Sequence, residues 1–287
     1  MTSTAPTLTV VPDVDDEAHP LLAGLIEELE QLPPSRAAAL RVVQVVDDPD
    51  TSAADVSKAA GADPALTARI LRVANSAYYG LSGRVGTPAF AVTVVGFQTV
   101  RSLAAVAAAG LAGDEDLPAG FWERASSVAS ACSLLARRVG TPAPEAFCAG
   151  LLYDLGTALL YRHDRTMYDG LAAEAAGGPV SLPELQRRTY GATAATLCAD
   201  VLEGWRFPED LCIAIRHQDD DPATARDPLV RTLQAGMTMA TLPTPEWPAD
   251  ARSAATFANA MVRPNEVADL VRQMTEAAEQ LAAAFTA

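Results

Sequence analysis

With 287 residues the chain can form one large domain or two modest ones, and 49% hydrophobic residues against 6% aromatic ones leave a core built from Ala, Leu and Val. A formal charge of −15 argues against a sequence-independent grip on nucleic acid, which needs a cationic face to release counterions, and against an anionic membrane surface. Arg36, Arg41, Arg69, Arg72, Arg84 and Arg101 cluster in the N-terminal half and leave room for a local basic patch.

Residues 1–19 are rich in Thr, Pro and Asp without periodicity, which predicts a disordered tail. They lack the basic start and apolar run of a signal peptide. Ser52 with Asp55 approximates a capping box. Asp63-Pro64 sets a side-chain acceptor before a proline at a first helical position, and Leu66, Ile70, Val73 and Ala77 form the apolar stripe behind it. Gly80 is the stop. A short β-ribbon near Arg84 to Thr87 stays open as an alternative to a loop. From Pro88 to Ala109 the sequence is apolar on nearly all sides, which predicts one buried central helix. The weakly polar stretch Leu103 to Gly113 is too short to cross a bilayer.

Phe121, Val128, Cys132, Leu135 and Val139 mark the next helix, and Phe147, Leu151, Ala158 and Leu159 another. Ser181 with Glu184 approximates a second capping box. Ala194, Leu197, Val201 and Trp205 mark a further helix, and Pro208 opens a short one through Ile215. Five prolines between 222 and 248 surround an apolar helix, Val230 to Ala240. Val267, Leu270, Met274, Leu281 and Phe285 give a final amphipathic helix, which either packs back on its own core or forms a dimer or partner seam. The class expected is all-α. Cys132, Cys148, Cys198 and Cys212 sit far apart among apolar neighbours, as free thiols do in a reducing cytoplasm.

Standard chemical motifs are missing: no Gly-rich phosphate loop, no G-x-S-x-G, no CxxC, no HExxH. Cys212 and His217 lie five apart, about 140° around a helix, and would not share a metal. His19, His163 and His217 are the only histidines, and a di-metal hydrolase needs several imidazoles at one place. Two polar residues break apolar stripes. Asp154 falls three after Leu151 and four before Ala158, and Arg124 three after Phe121 and four before Val128. A buried charge without a partner is costly, so mutual pairing is the economical solution. Local pairing with Glu123 or Glu145, exposure to solvent, and contact with a bound polar ligand are the alternatives.

The order of segments resembles a known family. Leu32-Pro33-Pro34, Asp47-Asp48-Pro49 and the block from Asp63-Pro64 through Asn75-Ser76-Ala77-Tyr78-Tyr79-Gly80 are similar to the HDOD domain, the HD-related output domain of bacterial signalling proteins. The likeness continues through Val95-Gly96, Phe121-Trp122, Gly150 to Gly156 and Trp205 to His217, covering about residues 20–220, and leaves 221–287 as a C-terminal helical extension packed on the domain. It implies an HD-like helical bundle related to metal-dependent phosphohydrolases. The family's histidine positions fall on Arg124, Tyr153, Ala194, His217 and Gln218, with Asp154 on the Asp. Three positions lack an imidazole outright and a fourth is an amide, so the resemblance implies a degenerate site with no metal and no cofactor.

Asn75 and Ser76 either satisfy helix-end carbonyls or offer polar contacts to a partner, with Asp63, Pro64, Tyr78, Tyr79 and Gly80 as the surrounding motif. The function expected is a non-catalytic signalling module of the cytoplasm, acting through contacts with an unidentified protein, with a homodimer through the C-terminal helix as one form. A nucleotide second-messenger sensor using Arg124, Tyr153 and His217 is the first alternative, and a residual phosphohydrolase through Asp154 and His217 the second. The Ala- and Arg-rich, Lys-poor composition fits a high-GC bacterial genome.

Overall fold

A computed structural model describes residues 34–81, 83–111 and 117–286. The expectations for residues 1–19, His19 and Leu32-Pro33 lie outside the described residues.

The described chain is helical throughout, without strands. In order run α1 (Pro34–Val46), α2 (Ala53–Ala60), α3 (Pro64–Ala74), a 3-10 turn (Ala77–Tyr79), α4 (Pro88–Val95), α5 (Phe97–Ala108), α6 (Phe121–Val139), α7 (Ala143–Leu152), α8 (Leu155–His163), α9 (Arg165–Gly177), α10 (Leu182–Tyr190), α11 (Ala194–Gly204) and α12 (Glu209–Arg216). The extension adds a 3-10 turn (Pro222–Thr224), α13 (Pro228–Ala240), α14 (Ala251–Asn259), a 3-10 turn (Pro264–Glu266) and α15 (Val267–Thr286). No single described helix is long and apolar enough to cross a membrane.

Local signals set most helix starts. Asp63 accepts from the amides of Ala65 and Leu66 at 2.9 and 3.1 Å, and Ser52 and Asp55 close their reciprocal box. The second expected box does not form: Ser181 stands at the N-cap without a side-chain bond, and Glu184 instead reaches Arg187 and Arg188, both at 2.9 Å. Two exposed arginines in the same helix outcompete a cap for that carboxylate.

The single helix expected over Pro88 to Ala109 is two. Gly96, at φ +83°, ends α4 and begins α5, and the axes meet at 108°. Uniform apolarity carries no directional information, so the periodicity could not register the bend; the glycine marks it. The helix expected through Phe147 and Leu159 is likewise broken, at Tyr153-Asp154, into α7 and α8. No β-ribbon forms at Arg84 to Thr87. There the Asn75 amide takes the part of a neighbouring strand, accepting from Val85 N at 2.9 Å and donating to Val85 O at 2.8 Å.

α6 is the central element, packed against α7, α13 and α15. α15 runs antiparallel to it: Glu266 pairs with Arg138 near the end of α6 at 2.9 Å, and Phe285 stacks on Trp122 at its start. The inward residues Val267, Leu270, Met274, Leu281 and Phe285 are buried within the same chain. All four cysteines are buried free thiols. Arg101, 2% exposed, ties α1 to the segment after α11 by bonding Asp47 and the Arg206 carbonyl and lying 4.2 Å over the Phe207 ring.

Candidate functional site

The breaks in the helices build the site. Gly120, left-handed at φ +71°, starts α6 so that Arg124 falls in its first turn. The α7–α8 break presents Tyr153 and Asp154 opposite. Arg124 Nη2 lies 3.2 Å from Asp154 Oδ2, while Nη1 donates to the Ala119 carbonyl at 2.6 Å. The mutual pair expected from the two interrupted stripes is therefore present. Its members differ in depth: the Asp154 side chain is 13% exposed, that of Arg124 42%.

That asymmetry sets the electrostatics. Burial raises the Asp154 carboxyl above the usual carboxylate range, against the pull of a Thr157 hydrogen bond and of Arg124. Burial works against the Arg124 charge too, but Asp154 more than offsets it, and the guanidinium holds its proton more tightly than usual. The Tyr153 phenol is pushed well up, by burial first and then by the Asp154 charge, and stays protonated. Tyr168 is also raised, by burial and then by Asp154, against a hydrogen bond with Thr157. Sequence reasoning missed Thr157 and Tyr168; the signal available for Thr157 was its position three after Asp154, one turn along α8.

The remaining positions join to different degrees. Gln218, almost fully buried, donates from Nε2 to the Tyr153 carbonyl at 3.2 Å, and its Oε1 has no hydrogen-bond partner among the described residues. His217 ends α12 and is exposed, its Nδ1 engaged by Asp220 Oδ2 at 2.7 Å. It opens on a small recess of about 160 Å³ shared with Ile213, Thr224, Arg226 and Val230. Asp219, exposed as a residue, has a raised carboxyl through desolvation first, opposed by Arg252 and reinforced by Asp220 and Asp154. Ala194 contributes backbone: its N–H donates to Gln186 Oε1 at 2.9 Å, and its carbonyl oxygen is 1.9 Å from where a Cβ on Gly156 would stand. α8 and α11 are thus in backbone contact where the resemblance expects a histidine.

The loop bearing His217 is held by the extension. Gln234 donates to the carbonyls of His217 and Asp220 at 3.3 and 3.2 Å, Arg252 to those of Asp219 and Asp220 at 2.9 Å each, and Asn259 to that of Pro222 at 2.6 Å.

Can this donor set hold two metal ions? A guanidinium only donates, a protonated phenol and a methyl group offer no ligand, and Asp154 already carries Arg124. Among the described residues no three His, Cys, Asp or Glu side chains converge as a ligating group. Arg124, Tyr153 and Ala194 therefore bring no metal donor to their positions.

The Asp63–Gly80 motif is occupied with structure. Asn75 also donates to the Leu71 carbonyl at 3.0 Å, and buried Ser76 donates to that of Val73 at 2.7 Å, as the helix-end reading expects. Pro64 fills the first turn of α3, and Gly80, at φ +68°, closes the 3-10 turn. Tyr78 and Tyr79 are half-buried, edge to face at 5.0 Å, with Tyr78 also 5.9 Å from Phe147. Their rings face the core.

A family model described as HDOD domain matches residues 32–221. An uncharacterised protein of Treponema pallidum (strain Nichols) is 24% identical over 240 residues, 80% of this chain and 47% of the relative, so the chain spans about half the length of the curated relative it matches. A crystal structure from Shewanella amazonensis SB2B, provisionally named a phosphohydrolase, is 27% identical with a TM-score of 0.69, covering 92% of this chain and 98% of that one. One from Marinobacter aquaeolei VT8, provisionally named a signal transduction protein, is 21% identical with a TM-score of 0.70, covering 96% and 68%. An HDOD domain protein of unknown function from Geobacter sulfurreducens is 19% identical with a TM-score of 0.66, covering 92% and 96%.

Proposed function

We propose that this chain, which belongs to the HDOD domain family, works as a non-catalytic signalling module that acts through protein contacts. The observation that carries this reading is the Arg124–Asp154 contact at 3.2 Å. A fixed cation supplied by the chain stands where the resemblance expects a metal ligand, beside the carboxylate that would have faced the metal. The charge the scaffold needs next to Asp154 is then covalently present, and the fold does not depend on a diffusible ion for it.

The positions around it support the same reading. Tyr153 is held protonated by burial, Ala194 has no donor, and His217 is turned to Asp220. A hydrolytic site needs a polarised water and a stabiliser for the developing phosphate charge. Arg124 could serve the second purpose only by leaving Asp154.

Elemental analysis of the purified chain, with phosphodiester assays in added manganese or iron, tests the reading. Metal well below one ion per chain and no turnover above buffer is the outcome expected. Two tightly held ions per chain with turnover abolished by Asp154→Asn would overturn it.

A further inference from the structure

The last helix covers more than apolar surface. Trp122, Ser126 and Ser130 stand four residues apart on one face of α6, each no more than 2% exposed. The indole nitrogen and both hydroxyls have no hydrogen-bond partner among the described residues. Buried polar groups are paired in all but a small minority of cases, so three unpaired groups in register require an explanation. Trp122 shows what lies over this face: Phe285 stacks on its ring at 4.6 Å, and the Arg69 guanidinium sits 4.9 Å from the ring centre. α15 touches α6, α3 and the Ala77–Tyr79 turn. Its C-terminal half buries Ala278, Leu281, Ala282, Ala284 and Phe285, whose side chains neither donate nor accept. Trp122 lies directly under this apolar cover, and Ser126 and Ser130 follow it along α6, the helix against which α15 packs.

The two halves of α15 are held differently. Val267, Leu270 and Met274 pack in a separate apolar cluster with Leu135, Val139 and Phe257, beside the Arg138–Glu266 ion pair. The second half enters the main core through Leu281, Ala284 and Phe285, the last of them against Trp122.

We propose that the C-terminal half of α15 is a displaceable cover, and that the face beneath it docks an amphipathic helix of a partner protein with polar side chains along its contact stripe. Such a helix offers partners to Trp122, Ser126 and Ser130 that Ala278 and Ala282 cannot, while its apolar residues replace Leu281 and Phe285. The proposal rests on the protein-contact reading above and names its surface.

Hydrogen exchange on the full chain reads the cover directly. Amides of 279–283, a turn in from the helix end, are expected to exchange at least about tenfold faster than those of 268–275. Ser126→Ala with Ser130→Ala removes two unpaired hydroxyls without adding volume, and should slow exchange at 279–283 about threefold or more while leaving 268–275 unchanged. As a trans probe, a fluorescent peptide of residues 267–287 with A278Q and A282Q should bind the full chain at least about fivefold more tightly than the unchanged peptide. Equal exchange in the two halves, serine variants that leave or speed exchange, or a Gln-bearing peptide that binds no better would each overturn the proposal. A dimer formed through this face without peptide would do so too, in favour of a second copy. Metal content and turnover do not enter these readouts, so this proposal and the non-catalytic reading fail separately.

Discussion

Removing Arg124 tests the central contact most directly. Arg124→Ala leaves Asp154, with its side chain 13% exposed, without its nearby cation. At 3.2 Å an effective dielectric between about 20 and 80 gives an attraction of about 1 to 5 kcal/mol. Because the Arg124 side chain is 42% exposed, solvent screening places the coupling toward the lower end, about 1 to 2 kcal/mol. The single variant should lose about 2 kcal/mol, since the carboxylate is left partly desolvated. On an Asp154→Asn background, where no charge needs neutralising, the same change should cost roughly 0.5 kcal/mol. Urea denaturation of the four proteins in the cycle measures this. Additivity within about 0.5 kcal/mol refutes the pairing argument.

The pH dependence gives an independent sign. The Asp154 carboxyl is raised above 3.8 in the folded chain, so the folded state binds that proton more tightly than the unfolded one. Its contribution is present below 3.8 and is lost as pH rises through the higher folded value. Arg124→Ala lifts the folded value further. The deficit of the variant should therefore be larger near about pH 8 than near about pH 4. A deficit that stays constant or shrinks with rising pH contradicts the assignment.

Asn75→Ala should cost about 2 to 3 kcal/mol by stranding both polar groups of Val85, and Asn75→Asp less, because the acceptor for the Val85 amide remains; denaturant midpoints report both. Gly156→Ala places a Cβ 1.9 Å from the Ala194 oxygen and should cost about 3 kcal/mol or prevent folding, read as thermal midpoint and soluble yield. Burial pushes the Cys148 and Cys212 thiols up to about 12. With all four cysteines buried, a disulfide reagent near about pH 8 should label the native chain far more slowly than the urea-unfolded one. Rapid native labelling of any thiol would contradict the packing.

The sequence carried the parts of this protein that depend on neighbours in the chain. Asp63-Pro64 and Ser52-Asp55 announced helix starts because caps act over two or three residues. The misplaced charges of Arg124 and Asp154 announced each other because two interrupted apolar stripes leave each charge the same need for a partner. The Asp63–Gly80 block announced the family. The bend at Gly96 and the break at Tyr153-Asp154 were not visible in hydrophobic periodicity, since a run apolar on nearly every side shows no preferred face, even where the folded helix leaves one exposed, as at Phe90 and Thr93. The packing of Gly156 on Ala194 arises between helices remote in sequence. So does the stacking of Phe285 on Trp122, at the head of the row of unpartnered groups on α6.

Helix content, caps, the family and the demand for charge compensation were thus set by local chemistry that the sequence spells out. Which half-buried side chains meet, and which polar groups are left without a partner, was decided only when distant helices packed. Packing selects one neighbour among many of similar chemistry, and no short-range pattern encodes that choice.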